Sequence, residues 1–314
     1  MTNSLKDAYM EMSIPRWTSF AYSSASFQHI LGYRPAEQDL DDFDAVEKYA
    51  QKRARVSPEI PLGWKAWQHV GPEDYWSKPR MWVSFHFGVY QFVPLRLLIL
   101  GCSICLILST AVLQSYQQYY SKFVKELPIK GRLYLLAAED SKLFFRLKQL
   151  VEKGFHILVF ADGFKGAKQT VDAALDQVKL HQAQLGVRTG YLRLAKILRT
   201  PVMLMLDHTA DPRAEGSLLI HAIGGSSEQD LLVSLFYHFE VYLKKNPELW
   251  EIWLYLHRYS RPTSSFANWP PARRILPIST EHGGRMLDKY TYREHHLSAK
   301  QYEELLQNIF VINI

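Results

Sequence analysis

The residues best suited to chemistry lie in one short segment, Ser84-Phe85-His86-Phe87-Gly88-Val89-Tyr90-Gln91. A neutral imidazole can take a proton from a hydroxyl or an amine, so His86 is a candidate general base. Gly88 lacks a side chain, which lets a substrate or another stretch of backbone come close beside it. A single histidine is more often a hydrogen-bonded core residue than a catalyst, so its surroundings must decide between the two interpretations.

A second polar segment, Asp162-Gly163-Phe164-Lys165-Gly166, follows a strongly apolar stretch. A glycine turn exposes backbone N–H groups and Lys165 adds positive charge, so this turn can bind a phosphate. The alternative is a solvated turn that carries surface lysines. Asp162 and His86 would both lie at strand ends, which would allow the carboxylate to orient the imidazole.

Positive charge is in excess along the chain, with a formal net charge of +6 and a pI near 9.1 over 314 residues. This excess favours an anionic partner such as a membrane surface, an acidic carrier protein or a phosphate, although a mildly basic protein can also have none of these. Arg188, flanked by glycines just before a predicted helix, can hold an anionic group. The alternative for Arg188 is an exposed arginine at a helix start. No nucleic-acid partner is expected.

Strands that alternate with helices must position these groups. The predicted strands cover residues 81–85, 102–108, 132–137, 155–161, 201–206 and 217–223. Helices are predicted between them, which indicates an α/β fold with a mostly parallel central sheet covered by helices on both faces. Open sheets of this kind bind ligands at the carboxyl ends of their strands, and the first predicted strand ends just before His86.

The rest of the chain differs in composition from this alternating part. Residues 1–80 are polar, aromatic and interrupted by prolines, and they are predicted to form an N-terminal helical cap region. Residues 81–314 are predicted to form the α/β domain, with helices over 228–245, 248–259 and 297–310 and an extended surface segment over 261–277. No linker separates two cores, so one structural unit is expected overall.

One apolar stretch, residues 92–113, is long enough to span a bilayer, but Pro94 and Arg96 interrupt it. It is therefore predicted to be a buried helix, a turn and a strand. Cys102 and Cys105 lie inside this stretch, and a redox or metal pair needs a more polar setting. We therefore expect two buried apolar thiols.

Metal-binding and cofactor-binding patterns are weak in this sequence. The sequence lacks a P-loop, a G-x-G-x-x-G, a G-x-S-x-G and an H-E-x-x-H motif. Glu294, His295 and His296 form one polar cluster, which by itself is poor support for a metal site. We expect neither a metal nor a cofactor.

The order of several short motifs carries a family resemblance. The motifs are His86-Phe87-Gly88, Phe160-Ala161-Asp162-Gly163-Phe164-Lys165-Gly166, Leu185-Gly186-Val187-Arg188-Thr189-Gly190, Leu194-Ala195, Thr200-Pro201-Val202, Asn246-Pro247-Glu248-Leu249-Trp250, Trp253-Leu254-Tyr255-Leu256-His257-Arg258 and Arg261-Pro262. Each motif is weak alone, but together they are fairly specific over residues 81–262. In this order the chain resembles the bacterial lipid A biosynthesis acyltransferase family, within the lysophospholipid acyltransferase superfamily.

The resemblance implies roles for individual residues. It implies that His86 is the general base, and that a carboxylate five residues later orients it. Gln91 occupies that position here, and an amide can accept a hydrogen bond from the ring but cannot offset a forming positive charge. The resemblance also places Asp162-Gly163-x-Lys165 where the superfamily has an acidic-glycine block near a basic residue that binds acceptor phosphate.

The implied activity is the transfer of a fatty acyl group from an acyl thioester to a hydroxyl or an amine. The donor would be acyl carrier protein or coenzyme A, and the acceptor a lipid or a small secondary metabolite. Residues 1–35 carry no signal-like apolar stretch. We therefore expect a cytoplasmic enzyme, held at most peripherally to an anionic inner membrane.

Two other functions compete with acyl transfer. Gln91 in place of the acid would also fit a degenerate family member that binds acyl chains or a partner protein without turnover. A thioesterase-like hydrolase, in which water replaces the acceptor, is the third and weaker hypothesis.

Overall fold

The computed structural model describes residues 5–32, 34–56, 75–162, 175–211, 218–264, 274–280 and 283–311. The chain folds into two compact units. The first comprises Met1–Lys48, Gln177–Gly186 and Glu251–Ile314, and the second comprises Tyr49–Asp176 and Val187–Trp250. Neither unit coincides with the predicted segments 1–80 and 81–314, and that division stays a prediction.

Helices and strands alternate through most of the chain. The helices are α1 (Leu5–Glu11), α2 (Ile14–Leu31), α3 (Ala36–Ala54), α4 (Val93–Ile99), α5 (Thr110–Glu126), α6 (Leu143–Glu152), α7 (Gly190–Leu198), α8 (Glu228–Lys245), α9 (Leu256–Tyr259) and α10 (Ala299–Val311). The strands are β1 (Met81–Ser84), β2 (Ile104–Leu108), β3 (Leu133–Ala137), β4 (His156–Phe160), β5 (Asp176–Leu180), β6 (Ala183–Val187), β7 (Val202–Asp207), β8 (Leu218–Ala222), β9 (Thr263–Ser264), β10 (Ile275–Thr280), β11 (Gly283–Asp288) and β12 (Arg293–His296). Short 3-10 turns cover Tyr90–Phe92, Pro247–Leu249 and Glu251–Leu254.

The second unit is built on a six-stranded sheet of order β3-β2-β4-β1-β7-β8. The first five strands in this order are parallel, and β8 runs antiparallel to β7. Every residue of β1 and β7 is buried, which explains why these strands are nearly continuous apolar runs in the sequence. The predicted mixed α/β class and the mostly parallel sheet are therefore confirmed.

The apolar stretch at residues 92–113 folds as predicted, into α4, a turn at Gly101 with φ of +91°, and β2 leading into α5. Among the helices in the described part of the chain, none is both long and apolar enough to cross a membrane. Cys102 and Cys105 are buried free thiols, and burial raises the pKa of each to about 12. Neither thiol is therefore poised for thiolate chemistry at neutral pH.

The first unit packs α2 against β10 and encloses a polar cluster. Asp39 accepts hydrogen bonds from Arg34 at 2.7 Å, from Ser24 at 2.5 Å and from Gln28 at 2.6 Å. The Lys289 ammonium, which is fully buried, donates to the Ser24 hydroxyl at 3.3 Å. Burial raises the pKa of Asp39, while the positive charges of Lys289 and Arg34 oppose that shift.

Two predicted segments of the first unit fold differently from expectation. The predicted helix over 248–259 is a series of short 3-10 turns that ends in the four-residue α9. The predicted extended surface segment over 261–277 contains β9 and the start of β10, and its residues 265–273 lie outside the described part. The hairpins β5–β6 and β10–β11–β12 were not predicted.

Candidate functional site

His86 lies at the carboxyl edge of the central sheet, two residues after β1 ends. Its side chain is 19% exposed, whereas its neighbours Phe85 and Phe87 are fully buried. The ring therefore stands at the boundary between the core and solvent, which is the position that a proton-transferring group needs.

Asp162 follows β4, the strand that pairs with β1, and so reaches the same edge of the sheet. Its Oδ1 lies 2.7 Å from His86 Nδ1, and its two oxygens accept the His86 backbone N–H at 3.1 and 2.9 Å. Because this buried carboxylate accepts, Nδ1 carries the ring proton and Nε2 is left as a proton acceptor. This is the tautomer that a general base requires.

Trp250 completes the support of the Asp162 carboxylate. Its indole N–H donates to Asp162 Oδ2 at 2.7 Å, and its ring is fully buried. The backbone of Trp250 forms a β-bridge with Phe87, and the Leu249 carbonyl accepts the Gly88 N–H at 2.9 Å. The 246–250 segment therefore holds both the His86 loop and its acid in place.

Gly88 is required by close packing. It has a φ of +62°, and a Cβ built there would lie 2.2 Å from the Asp207 carbonyl oxygen. We predicted that either a substrate or another stretch of backbone could come close to Gly88. The backbone is the group that does, because Asp207 fills the space beside Gly88. Asp207 Oδ1 also accepts the Val89 N–H at 3.0 Å, and its Oδ2 pairs with the buried Arg96. This buried ion pair fixes the turn that follows His86.

Aromatic rings surround the His86 imidazole. Tyr90 contacts it edge-on with centroids 4.6 Å apart, and the Phe160 ring lies at 5.0 Å. The Arg53 guanidinium lies over the Tyr90 ring, 4.8 Å from its centroid. These contacts leave the ring few orientations and keep one face of the site apolar.

Gln91 does not reach the imidazole. It lines a small cavity of about 170 Å³ with Tyr116 and Tyr119, and its backbone carbonyl accepts the Tyr120 hydroxyl at 3.1 Å. Within the described residues, no hydrogen bond joins Gln91 to His86. The positive φ of Gly88 delays the helix until Tyr90, so the residue five positions on points away from the ring. The structure brings Asp162 to the ring instead.

The predicted anion-binding residues have different outcomes. Gly163 and Lys165 lie outside the described residues, so their predicted contacts stay predictions. Arg188 follows β6 and precedes α7, and it is half-buried. Within the described part of the chain it makes neither a hydrogen bond nor an ion pair, so its charge is available to a ligand.

Two site residues were missed in the sequence. Trp250 was named only as part of a motif and given no role, although a buried indole N–H needs an acceptor and so signals a polar partner. The Tyr191 hydroxyl is buried and lacks a hydrogen-bond partner among the described residues. Burial raises the pKa of Tyr191, and the negative charge of Asp162 raises it further. Nothing in the sequence near Tyr191 signals this position.

The other polar cluster considered in the sequence is engaged elsewhere. Glu294 accepts hydrogen bonds from Tyr22 at 2.5 Å and from Arg285 at 2.8 Å, while His295 and His296 are exposed on β12. Within the described residues, no group of three or more potential ligands is placed to hold a metal ion.

A comparison of the sequence with models of known protein families and with curated proteins finds no match. The functional argument therefore depends on the geometry of the site. That geometry is a histidine whose Nε2 has no hydrogen-bond partner among the described residues, a buried carboxylate on its Nδ1, and an indole that holds the carboxylate.

Proposed function

We propose that this chain is an acyltransferase that moves a fatty acyl group from an acyl thioester to a hydroxyl or an amine. The hydrogen bond between His86 Nδ1 and Asp162, at 2.7 Å, is the single observation that carries the proposal. It supplies an oriented base with a buried counter-charge at the ligand-binding edge of a parallel sheet. The donor is acyl carrier protein or coenzyme A, and the acceptor is a lipid or a small secondary metabolite.

The proposed reaction needs only side chains of this chain. His86 Nε2 takes the proton from the acceptor as its oxygen or nitrogen attacks the thioester carbonyl carbon. Asp162 stabilises the imidazolium that forms. The tetrahedral intermediate then collapses, the C–S bond breaks, and the imidazolium returns its proton to the leaving thiolate. The products are an ester or an amide and a free thiol.

Binding of the anionic parts of the substrates would use the unpaired positive charge near the site. Arg188 is available to hold a phosphate of donor or acceptor, and Gly163 and Lys165 are proposed to extend this subsite. The Tyr191 hydroxyl is available to donate to a substrate carbonyl. We also propose that residues 1–80 form an N-terminal helical cap and that helices cover both faces of the sheet. The protein is proposed to be cytoplasmic and held peripherally at a membrane.

The second candidate function is a binding protein without turnover. The neutral Gln91 favours it, because the resembling family has a carboxylate there. The position of Asp162 weakens this alternative, since a carboxylate from another strand already contacts the ring.

The test uses labelled acyl carrier protein and labelled acyl-coenzyme A, with and without a panel of lysophospholipid, glycolipid and amine acceptors. His86→Ala should lower turnover by roughly 10²–10⁴-fold at an unchanged melting temperature. The matched control is His295→Ala, which removes an exposed histidine on β12.

Each outcome separates the candidate functions. Acceptor-dependent loss of label that requires His86 supports acyl transfer. Release of free fatty acid without an acceptor indicates a thioesterase, and stable binding without loss of label indicates a binding protein. Equal turnover in the wild type and His86→Ala would remove His86 from the mechanism.

A further inference from the structure

A second ligand-sized groove lies between α5 and the edge strand β3, with a volume of about 620 Å³. One wall is a single face of α5, because Leu113, Gln117 and Val124 recur at a spacing of four and seven residues. The other wall is formed by Leu133 and Tyr134 of β3. The volume falls within the range of small-molecule sites.

The groove exposes apolar surface that the described part of the chain does not cover. Val124 is 40% exposed and Tyr134 is 51% exposed, although both are large hydrophobic side chains. From Leu113 to Lys125 the wall spans twelve residue-to-residue steps, or about 18 Å of helix. A groove of this length and lining suits an extended alkyl chain.

Two cations also line the groove. Lys125 and Arg132 are exposed, and within the described residues neither is paired with a carboxylate. Arg132 lies over the Phe155 ring, 4.9 Å from its centroid, which holds its guanidinium in place. Glu126 is exposed next to Lys125 but does not line the groove. Unneutralised positive charge at an apolar groove is complementary to an anionic head group.

The groove is separate from the His86 site. Two strands, β2 and β4, stand between β3 and β1 in the sheet, so β3 lies about 14 Å from β1 at about 4.8 Å per strand. The groove extends to residues 129–133, which lie at the amino end of β3. His86 lies beyond the carboxyl end of β1, which runs parallel to β3 in the same sheet. A ligand in the groove therefore does not occupy the position of the proposed substrate.

We propose that this groove binds a free fatty acid, with its chain along α5 and β3 and its carboxylate between Lys125 and Arg132. This inference is independent of the proposed acyl transfer. The apolar walls recognise the alkyl chain, and the two cations distinguish an acid from a neutral alcohol of equal length.

The test is a titration of the full chain with saturated fatty acids and with the alcohols of matching length, all below their critical micelle concentrations. Each added methylene should tighten binding by about fourfold until the groove is filled. The acid should bind about tenfold more tightly than its alcohol, since hydrogen bonds to charged groups add that much affinity.

Charge reversal locates the carboxylate. Lys125→Glu and Arg132→Glu should remove the preference for the acid and leave the affinity for the alcohol unchanged. The matched control is Lys122→Glu, one turn away on α5, whose ammonium lies over the Phe123 ring and does not line the groove. Val124→Gln should weaken the acid and the alcohol equally.

Three results would overturn the proposal. The first is equal affinity of the wild type for acid and alcohol. The second is an equal loss of acid binding in Lys122→Glu and Arg132→Glu. The third is binding only to vesicles that contain phosphatidylglycerol, with no binding of monomeric fatty acid, which would make this face a membrane contact.

Discussion

Two buried carboxylates, one in each compact unit, differ in what surrounds them. Asp39 is fully buried, and its partners are held inside the first unit with it. Asp162 is also buried, but one of its two side-chain partners is the His86 ring, which is 19% exposed. The first network ends in an ion pair, since Arg34 also pairs with Asp42 at 2.6 Å, whereas the second ends in a histidine ring at the edge of solvent.

The group in which each network ends distinguishes a structural polar cluster from a functional one. A network of paired charges that does not end in a histidine ring at the protein surface contributes to stability rather than to proton transfer. A network that ends in an exposed titratable ring can pass a proton to a ligand. Changes at Asp39 should therefore alter stability, and changes at Asp162 should alter turnover.

The largest effect is expected for Asp162→Asn. An amide has one acceptor oxygen where the carboxylate has two, so either Trp250 or His86 would face an N–H group instead of an acceptor. The imidazolium would also lose its counter-charge. Acyl transfer should fall by roughly 10²–10⁴-fold, measured as single-turnover transfer per folded molecule. Turnover within threefold of the wild type would mean that His86 does not depend on this acid.

Asp39→Asn should lower the stability of the protein and leave its turnover unchanged, unlike Asp162→Asn. It leaves Lys289 without a buried counter-charge and Arg34 with only the partly exposed Asp42, so the free energy of unfolding should fall by about 3–5 kcal/mol. Urea denaturation measures this loss, and turnover per folded molecule should be unchanged. Asp44→Asn, on the same helix α3, is the matched control because its ion pair with Arg16 is exposed. A loss at Asp39 no larger than at Asp44 would contradict the comparison.

The first unit should also show a pH dependence of stability. Burial lowers the pKa of His29 to about 4, and its Nδ1 accepts the Ser264 N–H at 3.1 Å, so an added proton would face that donor. Between pH 6.5 and 4 the unfolded chain binds this proton more readily than the folded chain. The contribution of neutral His29 to the free energy of unfolding is therefore fully present above pH 6.5. It falls by up to ~3 kcal/mol as the pH is lowered towards 4.

The measurement is the free energy of unfolding in urea across this pH range, for the wild type and His29→Asn. The variant should be less stable at pH 7 but should lose less on acidification. Burial also lowers the pKa of His257 to about 4. His257→Asn should therefore also reduce the slope of the free energy of unfolding against pH. Identical slopes in the wild type and His29→Asn would show that His29 does not contribute.

The smallest effect is expected for Trp250→Phe. The ring still packs, but Asp162 loses one donor, so the carboxylate is held less firmly. Turnover should fall about tenfold, which corresponds to about 1.4 kcal/mol in the transition state. Stability should fall by about 1–2 kcal/mol, because a buried acceptor loses its hydrogen bond. Loss of stability with unchanged turnover would show that Trp250 contributes to packing of the core and not to the function of Asp162.

The central sheet could be predicted because its inner strands β1, β4 and β7 bury nearly every residue and are apolar runs bounded by turns. Helix α8 was also predicted at its observed bounds, since a capping box at Ser227 and Asp230 starts it and Asn246-Pro247 ends it. Helix α2 was not predicted. Every residue from Phe20 to Ile30 is buried, polar ones such as Ser23, Ser24 and Gln28 included, so the helix lacks an amphipathic pattern.

The site could be predicted in part. The position of His86 follows from the end of β1, and its approach to Asp162 was one of the alternatives considered. The role of Gln91 did not follow, because the turn at Gly88 changes the direction of the chain before the helix begins. Trp250 was missed as a partner because it is 88 positions from Asp162 and only the folded chain brings them together.

The central position of β1 has a consequence for synthesis on the ribosome. Its neighbours β4 and β7 pair it at Ile157 and Val202, far later in the chain than Met81. The last support of the site, Trp250, is 164 positions after His86, which at 5–20 residues per second is a delay of roughly 10–30 s. Until β4 and β7 have been made, the fully buried strand β1 lacks the partners that cover its edges. Nascent chains of this protein should therefore be most dependent on a chaperone until translation passes β7.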